Sequence, residues 1–257
     1  VICIRGSFRE RKTQDLFALF DGHGGRCAPN LLLNLFAKKC LRNAASYCAD
    51  RLPTIIADNL ARSDDMYVES ALVNSFVQCH KEIAGWATKV HIFSCLLFFP
   101  QSLTVKFLFQ CGTTVVLLLV IDLRRYIAVA GDSRLVLSRA GRCAFVTTAH
   151  KTSHPSERAR ILAANGTIED ERVNGQLSVT RAIGDADLFP YLTAEPDVYI
   201  QDADEDDDFA LMASDGIWDA VTPDAAVAFV HEQLQAYSAL ADAEQAKHAS
   251  AADFAAD

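Results

Sequence analysis

Three apolar runs in this chain stop at an aspartate beside a glycine, and any fold for it must bring those stops together or leave them unexplained. Leu16-Phe-Ala-Leu-Phe20 ends at Asp21-Gly22, Val129-Ala130 at Gly131-Asp132, and Leu211-Met-Ala213 at Ser214-Asp215-Gly216. A buried strand that breaks into a glycine turn presents a carboxylate at the end of a rigid element, with open backbone beside it. Hard oxygen ligands of this kind suit magnesium or manganese, which take carboxylates and keep several waters. Three such corners, distant in sequence, predict a dinuclear metal centre built from strand ends. A hydrolase is equipped in this way.

The rest of the chain supplies the frame. Residues 1–4 and 16–20 read as paired strands around a charged hairpin at 9–12. Residues 29–48 read as a helix, with Leu32, Leu35, Phe36, Cys40 and Leu41 as its apolar stripe. A second helix carries Val68, Leu72, Phe76, Cys79, Ile83 and Trp86 on one face and starts at Ser63, Asp64 and Asp65. Strands follow over 115–121, 126–130 and 135–138. A short helix over 155–165 has proline in its first turn, and Gly166 is expected to take the left-handed cap that ends it. Residues 209–213 form a further strand, and a helix capped by Thr222 runs from 223 to about 241. Short antiparallel strands segregated from longer helices predict an α+β fold.

At 257 residues the chain fits one large domain with a substantial core. Its net charge of −9 argues against nucleic-acid binding, which wants a clustered basic face. Part of that charge is the run at 202–208, expected to be a solvated loop between two strands. The eight cysteines are scattered without a C-x-x-C pair, which predicts reduced thiols and a cytoplasmic or nuclear protein. There the Asn165-Gly-Thr167 sequon would carry no glycan.

One stretch departs from this pattern. Residues 90–110 are rich in phenylalanine and leucine, and three readings compete for them. A membrane span over 92–121 is opposed by Pro100, Lys106, Gln110 and the Gly-Thr-Thr strand that interrupt it. A genuine insertion would expose a large apolar patch. The third reading is a retained intron, because a pyrimidine tract before a splice acceptor would translate as a phenylalanine-rich run ending in glutamine.

Six short motifs occur in order: Asp-Gly-His-Gly-Gly at 21–25, Gly-Thr-Thr at 112–114, Gly-Asp-Ser-Arg at 131–134, Arg-Val-Asn-Gly-Gln-Leu-Ser-Val-Thr-Arg-Ala-Ile-Gly-Asp at 172–185, Glu-Pro-Asp-Val at 195–198 and Ala-Ser-Asp-Gly-Ile-Trp-Asp at 213–219. In this order and spacing the chain resembles the PPM family of metal-dependent protein phosphatases, also called protein phosphatase 2C, from about Val1 to about Leu234. The resemblance implies one phosphatase domain over 1–257, made of two stacked antiparallel sheets flanked by helices. It also implies that the domain lacks terminal strands: the family's Glu-Asp pair and phosphate-gripping arginine precede the first strand, and its Asp-Asn pair follows the last helix.

The same resemblance assigns roles. Asp21 would bridge two magnesium or manganese ions, the Gly22 carbonyl would bind one of them, and Asp215 would complete the first site. His23 would be the general acid for the departing Ser or Thr oxygen, while water activated between the metals attacks phosphorus. Asp132 and Asp219 would hold a third, weaker ion with Asp215. The alternatives are a hairpin turn for Asp132 and capping of the following helix for Asp219. Thr114, Arg181 and Asp185 are expected to be structural, with Arg181 holding a sheet carboxylate and Asp185 opening a short flap over 186–193. His150 and His154 are expected at the surface or in caps. The implied function is hydrolysis of phosphoserine and phosphothreonine in phosphoprotein substrates. The alternative is a catalytically impaired, phosphatase-like binding module. A membrane-anchored phosphatase stands or falls with residues 90–110.

Overall fold

The computed structural model describes residues 1–24, 44–62, 67–96 and 111–254. Strands β1 (Ile2–Arg5), β2 (Gln14–Gly24), β3 (Cys111–Ile121) and β4 (Arg124–Ala130) form an antiparallel sheet in that order. It is completed by β10 (Asp197–Asp202) on β4 and by the short β9 (Ile183–Gly184), which pairs β3 where β4 has ended. A second sheet contains β5 (Arg134–Arg139), β6 (Arg142–Val146) and β11 (Asp207–Ala213), ordered β11-β5-β6. β7 (Ile168–Glu169) and β8 (Arg172–Val173) make a separate small hairpin.

The alternation of side chains along β2 and β3 produces the layering. Leu16, Ala18, Phe20, Val115, Leu117 and Leu119 face α1 (Ala44–Arg62) and α2 (Val68–Leu96) and are buried with Leu52, Ile55, Ile56, Leu72 and Phe76. Their neighbours Val116 and Leu118, with Ile127 and Val129 of β4, pack on Leu135 and Leu137 of the second sheet. The outer face of that sheet, including Val136, is covered by Trp218 of α4 (Asp215–Trp218) and by Ala226 and Val227 of α5 (Pro223–Phe254). A strand covered on both faces reads as an unbroken apolar run. The seven residues Val115–Ile121 of β3 are such a run.

The α+β architecture of two antiparallel sheets between helices is therefore present, and the strands expected at 1–4, 16–20, 115–121, 126–130, 135–138 and 209–213 are seen. Thr222 caps α5 as expected, its Oγ1 accepting the Ala225 N–H at 3.3 Å, but the helix runs on to Phe254. Val68, Leu72, Phe76 and Cys79 are the buried stripe of α2. Of the helix expected over 29–48, only 44–48 falls within the described residues. It belongs to α1, which continues through Pro53 to Arg62. The stripe at 32–41 and the start at 63–65 lie outside them.

Several local expectations are corrected. The left-handed residue after α3 (Pro155–Ala163) is Asn165, φ 64°, and not Gly166, whose N–H instead caps back onto the Ile161 carbonyl at 3.0 Å. The acidic run is a loop only at its centre. Asp207 is a clamp with a buried carboxylate that takes Arg139 Nε of the neighbouring β5 at 2.8 Å and Arg125 from β4 of the other sheet. Burial would raise its pKa, but these two guanidinium groups bring it down to about 2. α2 carries on to Leu96, so the first residues of the apolar stretch at 90–110 are helical, while 97–110 fall outside the described residues.

Candidate active site

Ends of strands from both sheets carry the aspartates and the histidine singled out by the sequence. β2 brings Asp21 opposite Thr114 and His23 opposite Gly112. Odd-numbered residues of β2 share the face of Phe17 and Leu19, so Asp21 and His23 lie on the inter-sheet side. β4 ends at Ala130, and the chain then passes through Gly131-Asp132-Ser133 into β5 of the other sheet. Asp132 therefore sits on a crossover between sheets, which removes the hairpin alternative. Gly131 is held at φ +117°, and an added Cβ would stand 2.5 Å from Thr114 Cβ. Thr114 and Ser133 share a buried hydroxyl hydrogen bond of 2.7 Å beneath this corner.

His150 is not at the surface. It is 1% exposed, and its Nδ1 accepts the Gly131 N–H at 3.1 Å while Nε2 meets Asp197 at 3.1 Å. It thus fastens the Asp132 corner to the start of β10. Arg181 does hold a sheet carboxylate, donating to Asp197 at 2.7 Å and to the buried Glu157 at 2.7 and 3.1 Å.

β11 supplies the next corner: Ala213 pairs Arg134, and two residues later Asp215 opens the single-turn α4. Trp218 Nε1 donates to the Ala213 carbonyl at 2.6 Å, pinning that turn to the strand end. Asp219 follows. It does not cap α5, a role Thr222 fills; its carboxylate lies 3.2 Å from Lys151 Nζ, which is also 3.5 Å from Asp132.

Electrostatics tie these groups into one site. Burial pushes the Asp132 carboxyl above its usual range; Lys151 opposes this, and the Asp215 carboxylate adds to it. Burial would lower the His23 imidazole, but the Asp185 hydrogen bond and charge, with Asp21 and Asp132 behind them, leave it raised. Asp21 and Asp132 thus act on His23, Asp215 acts on Asp132, and Asp219 is joined to Asp132 through Lys151. Gly22 is exposed beside them.

The site also contains a partner that its sequence pattern does not announce. The Asp185 carboxylate lies 2.6 Å from His23 Nε2 and is buried, although its residue was expected only to open a flap.

No three His, Cys, Asp or Glu side chains among the described residues stand together at metal-holding distances. The donor set still suits a hard cation: all four aspartates offer oxygen, and the Lys151 ammonium already occupies a cation's place between Asp132 and Asp219.

Comparison with known proteins agrees with this frame. A family model described as "Protein phosphatase 2C" matches residues 3–255. The chain is 30% identical over 238 residues to "Protein phosphatase 2C 3" of Arabidopsis thaliana, covering 89% of this chain and 49% of that protein. It is 34% identical over 234 residues to "Probable protein phosphatase 1N" of Homo sapiens, covering 86% and 46%. The chain thus spans about half the length of these curated relatives. Among solved structures, a serine-threonine phosphatase 2C from Toxoplasma gondii superposes with a TM-score of 0.64 at 20% identity, covering 88% of this chain and 75% of that one. That likeness speaks for the fold alone.

Proposed function

The chain belongs to the protein phosphatase 2C family, and on that premise we propose that it is a metal-dependent hydrolase of phosphoserine and phosphothreonine in protein substrates. The observation that supports the reading is that Asp21 and Asp132, from the ends of β2 and β4, bear on His23, while Asp215, just beyond β11, bears on Asp132.

Asp21, the Gly22 carbonyl and Asp215 would hold two magnesium or manganese ions, and Asp132 with Asp219 a third. Bound there, the ions supply Lewis-acid charge that makes a water molecule a nucleophile near neutral pH. The chain's own residues do the rest. The Asp185 carboxylate, 2.6 Å from His23 Nε2, outweighs the lowering effect of burial, favours the protonated imidazole and keeps a proton available. His23 then gives that proton to the serine or threonine oxygen as it departs. Thr114, Ser133 and His150 keep the Asp132 corner rigid. No described helix is long and apolar enough to cross a membrane.

The test is Asp21→Asn in the chain supplied with magnesium or manganese. Phosphopeptide hydrolysis should fall to background while the thermal unfolding curve and manganese-free circular dichroism stay unchanged. A wild-type chain that binds phosphopeptide without turning it over, and whose binding Asp21→Asn leaves unchanged, would favour the impaired binding module instead.

A further inference from the structure

Across the sheet, His23 of β2 stands opposite Gly112 of β3, and Gly112 stands opposite Gly184 of β9. The middle position of this row has no side chain, and the space is used. An ideal Cβ on Gly112 would fall 1.8 Å from Asp185 Oδ2. The Asp185 carboxylate lies directly over the bare α-carbon, and only from there does it reach His23 Nε2, at 2.6 Å.

The turn that delivers Asp185 is fastened on two sides. Its own N–H donates to the Cys111 carbonyl at 3.1 Å, with the residue held at φ 46°. The preceding Gly184 N–H donates to Nδ1 of His80 at 3.3 Å. His80 is buried and stacked on Phe189 with ring centroids 4.7 Å apart. Among the described residues, the ionic partner of Asp185 is His23.

We propose that Asp185 is the positioning residue for His23, holding the imidazole by Nε2 so that Nδ1 is the nitrogen presented to the departing oxygen. This rests on the reading of His23 as general acid. A carboxylate can only accept, so the Nε2 position carries hydrogen and the proton to be given stands on Nδ1. As the bond from phosphorus to the ester oxygen breaks, its electron pair stays with that oxygen, which takes the Nδ1 proton. The attacking water forms the new bond to phosphorus. One of its protons remains on hydrogen phosphate and the other returns to Nδ1. Nε2–H stays on Asp185, which remains unprotonated throughout.

The test compares Asp185→Ala, His23→Ala and the double variant on a phosphoserine peptide and on p-nitrophenyl phosphate, whose leaving group needs no proton. Asp185→Ala should lower kcat on the peptide by about tenfold or more with little change in KM, leave the aryl phosphate within about threefold, and add nothing to His23→Ala. Equal losses on both substrates, or losses that multiply in the double variant, would overturn the proposal. If His23→Ala itself slows both substrates equally, the acid role falls. Positioning is then decided without turnover, by 15N NMR of the His23 ring at alkaline pH. A single Nε2–H tautomer that becomes a mixture in Asp185→Ala supports it, and an unchanged spectrum defeats it. Should Asp185→Ala fail to fold, the isosteric Asp185→Asn replaces it in both measurements, with a smaller loss in the same direction.

Discussion

The ammonium of Lys151 stands 3.5 Å from the carboxylate of Asp132, and the same nitrogen reaches Asp219 at 3.2 Å. A resident side-chain cation therefore competes for the place assigned to the third metal ion. Replacing it with an apolar side chain of similar length removes the competitor and keeps the packing of the stem. Lys151→Met should tighten manganese binding by about three- to tenfold in calorimetry, the scale expected for one nearby charge in a partly exposed site. Unchanged or weaker binding would show that Lys151 and the metal do not share this position.

Glu157 links α3 to the segment before β9. Burial alone would raise its pKa, but hydrogen bonds from Arg181, Thr180 and Arg160 bring it down to about 2. A depressed carboxylate stabilises the fold fully above its unfolded pKa of about 4.3, and the contribution is lost as pH falls toward 2. Glu157→Gln should cost about 3 kcal/mol at neutral pH, since it leaves two arginines without their buried partner. Denaturant melts of both proteins should differ constantly above pH 5 and converge between about 4 and 2. A difference independent of pH would mean that the carboxylate's charge is not what matters.

Gly131→Ala would test the crossover directly. The substitution meets both a φ of +117° and a Thr114 Cβ at 2.5 Å, and neither the backbone nor a buried neighbour can yield easily. Destabilisation of about 2–4 kcal/mol is expected from strain plus overpacking. Gly131→Ala combined with Thr114→Ser should recover part of that loss. No recovery would remove the Thr114 methyl group as a source of the cost and leave it with the backbone and the Thr114 Cβ.

Residues 90–110 remain a proposed retained intron. α2 enters this stretch as helix, and β3 leaves it at Cys111 already paired with Gly24. Transcript sequencing should find the codon for Lys89 joined to that for Cys111. Peptides from 90–110 detected by mass spectrometry in the native protein would show instead that the segment is translated.

Much of the site was legible because it is written locally: an apolar strand, then Asp-Gly. That pattern was enough to single out Asp21, Asp132 and Asp215, and their separate roles toward metal ions rest on the family resemblance. Asp185 was not legible as a partner of His23. Its reach depends on the register of β9 against β3 and on the empty position at Gly112, and both are long-range facts. His150 was misread for a similar reason, since its burial comes from the Gly131 corner and from Asp197 on a distant strand. The charged run at 202–208 hid a clamp because composition cannot distinguish Asp207, which two arginines meet, from its solvated neighbours. Asn165 took the left-handed cap expected of Gly166 because the helix ended at Ala163, two residues earlier, and asparagine tolerates that conformation.

The passage of the chain from one sheet to the other between Ala130 and Arg134 has a consequence in time as well as in space. Asp21 and Asp132 flank the first long-range pairings the chain makes, but Asp215 lies beyond β11 and enters the cleft only when that strand has docked on β5. During synthesis the polypeptide would carry Asp21 and Asp132 without Asp215 while residues 133–214 emerge. On the proposed reading, the set of metal-holding carboxylates would be complete only once β11 has docked on β5.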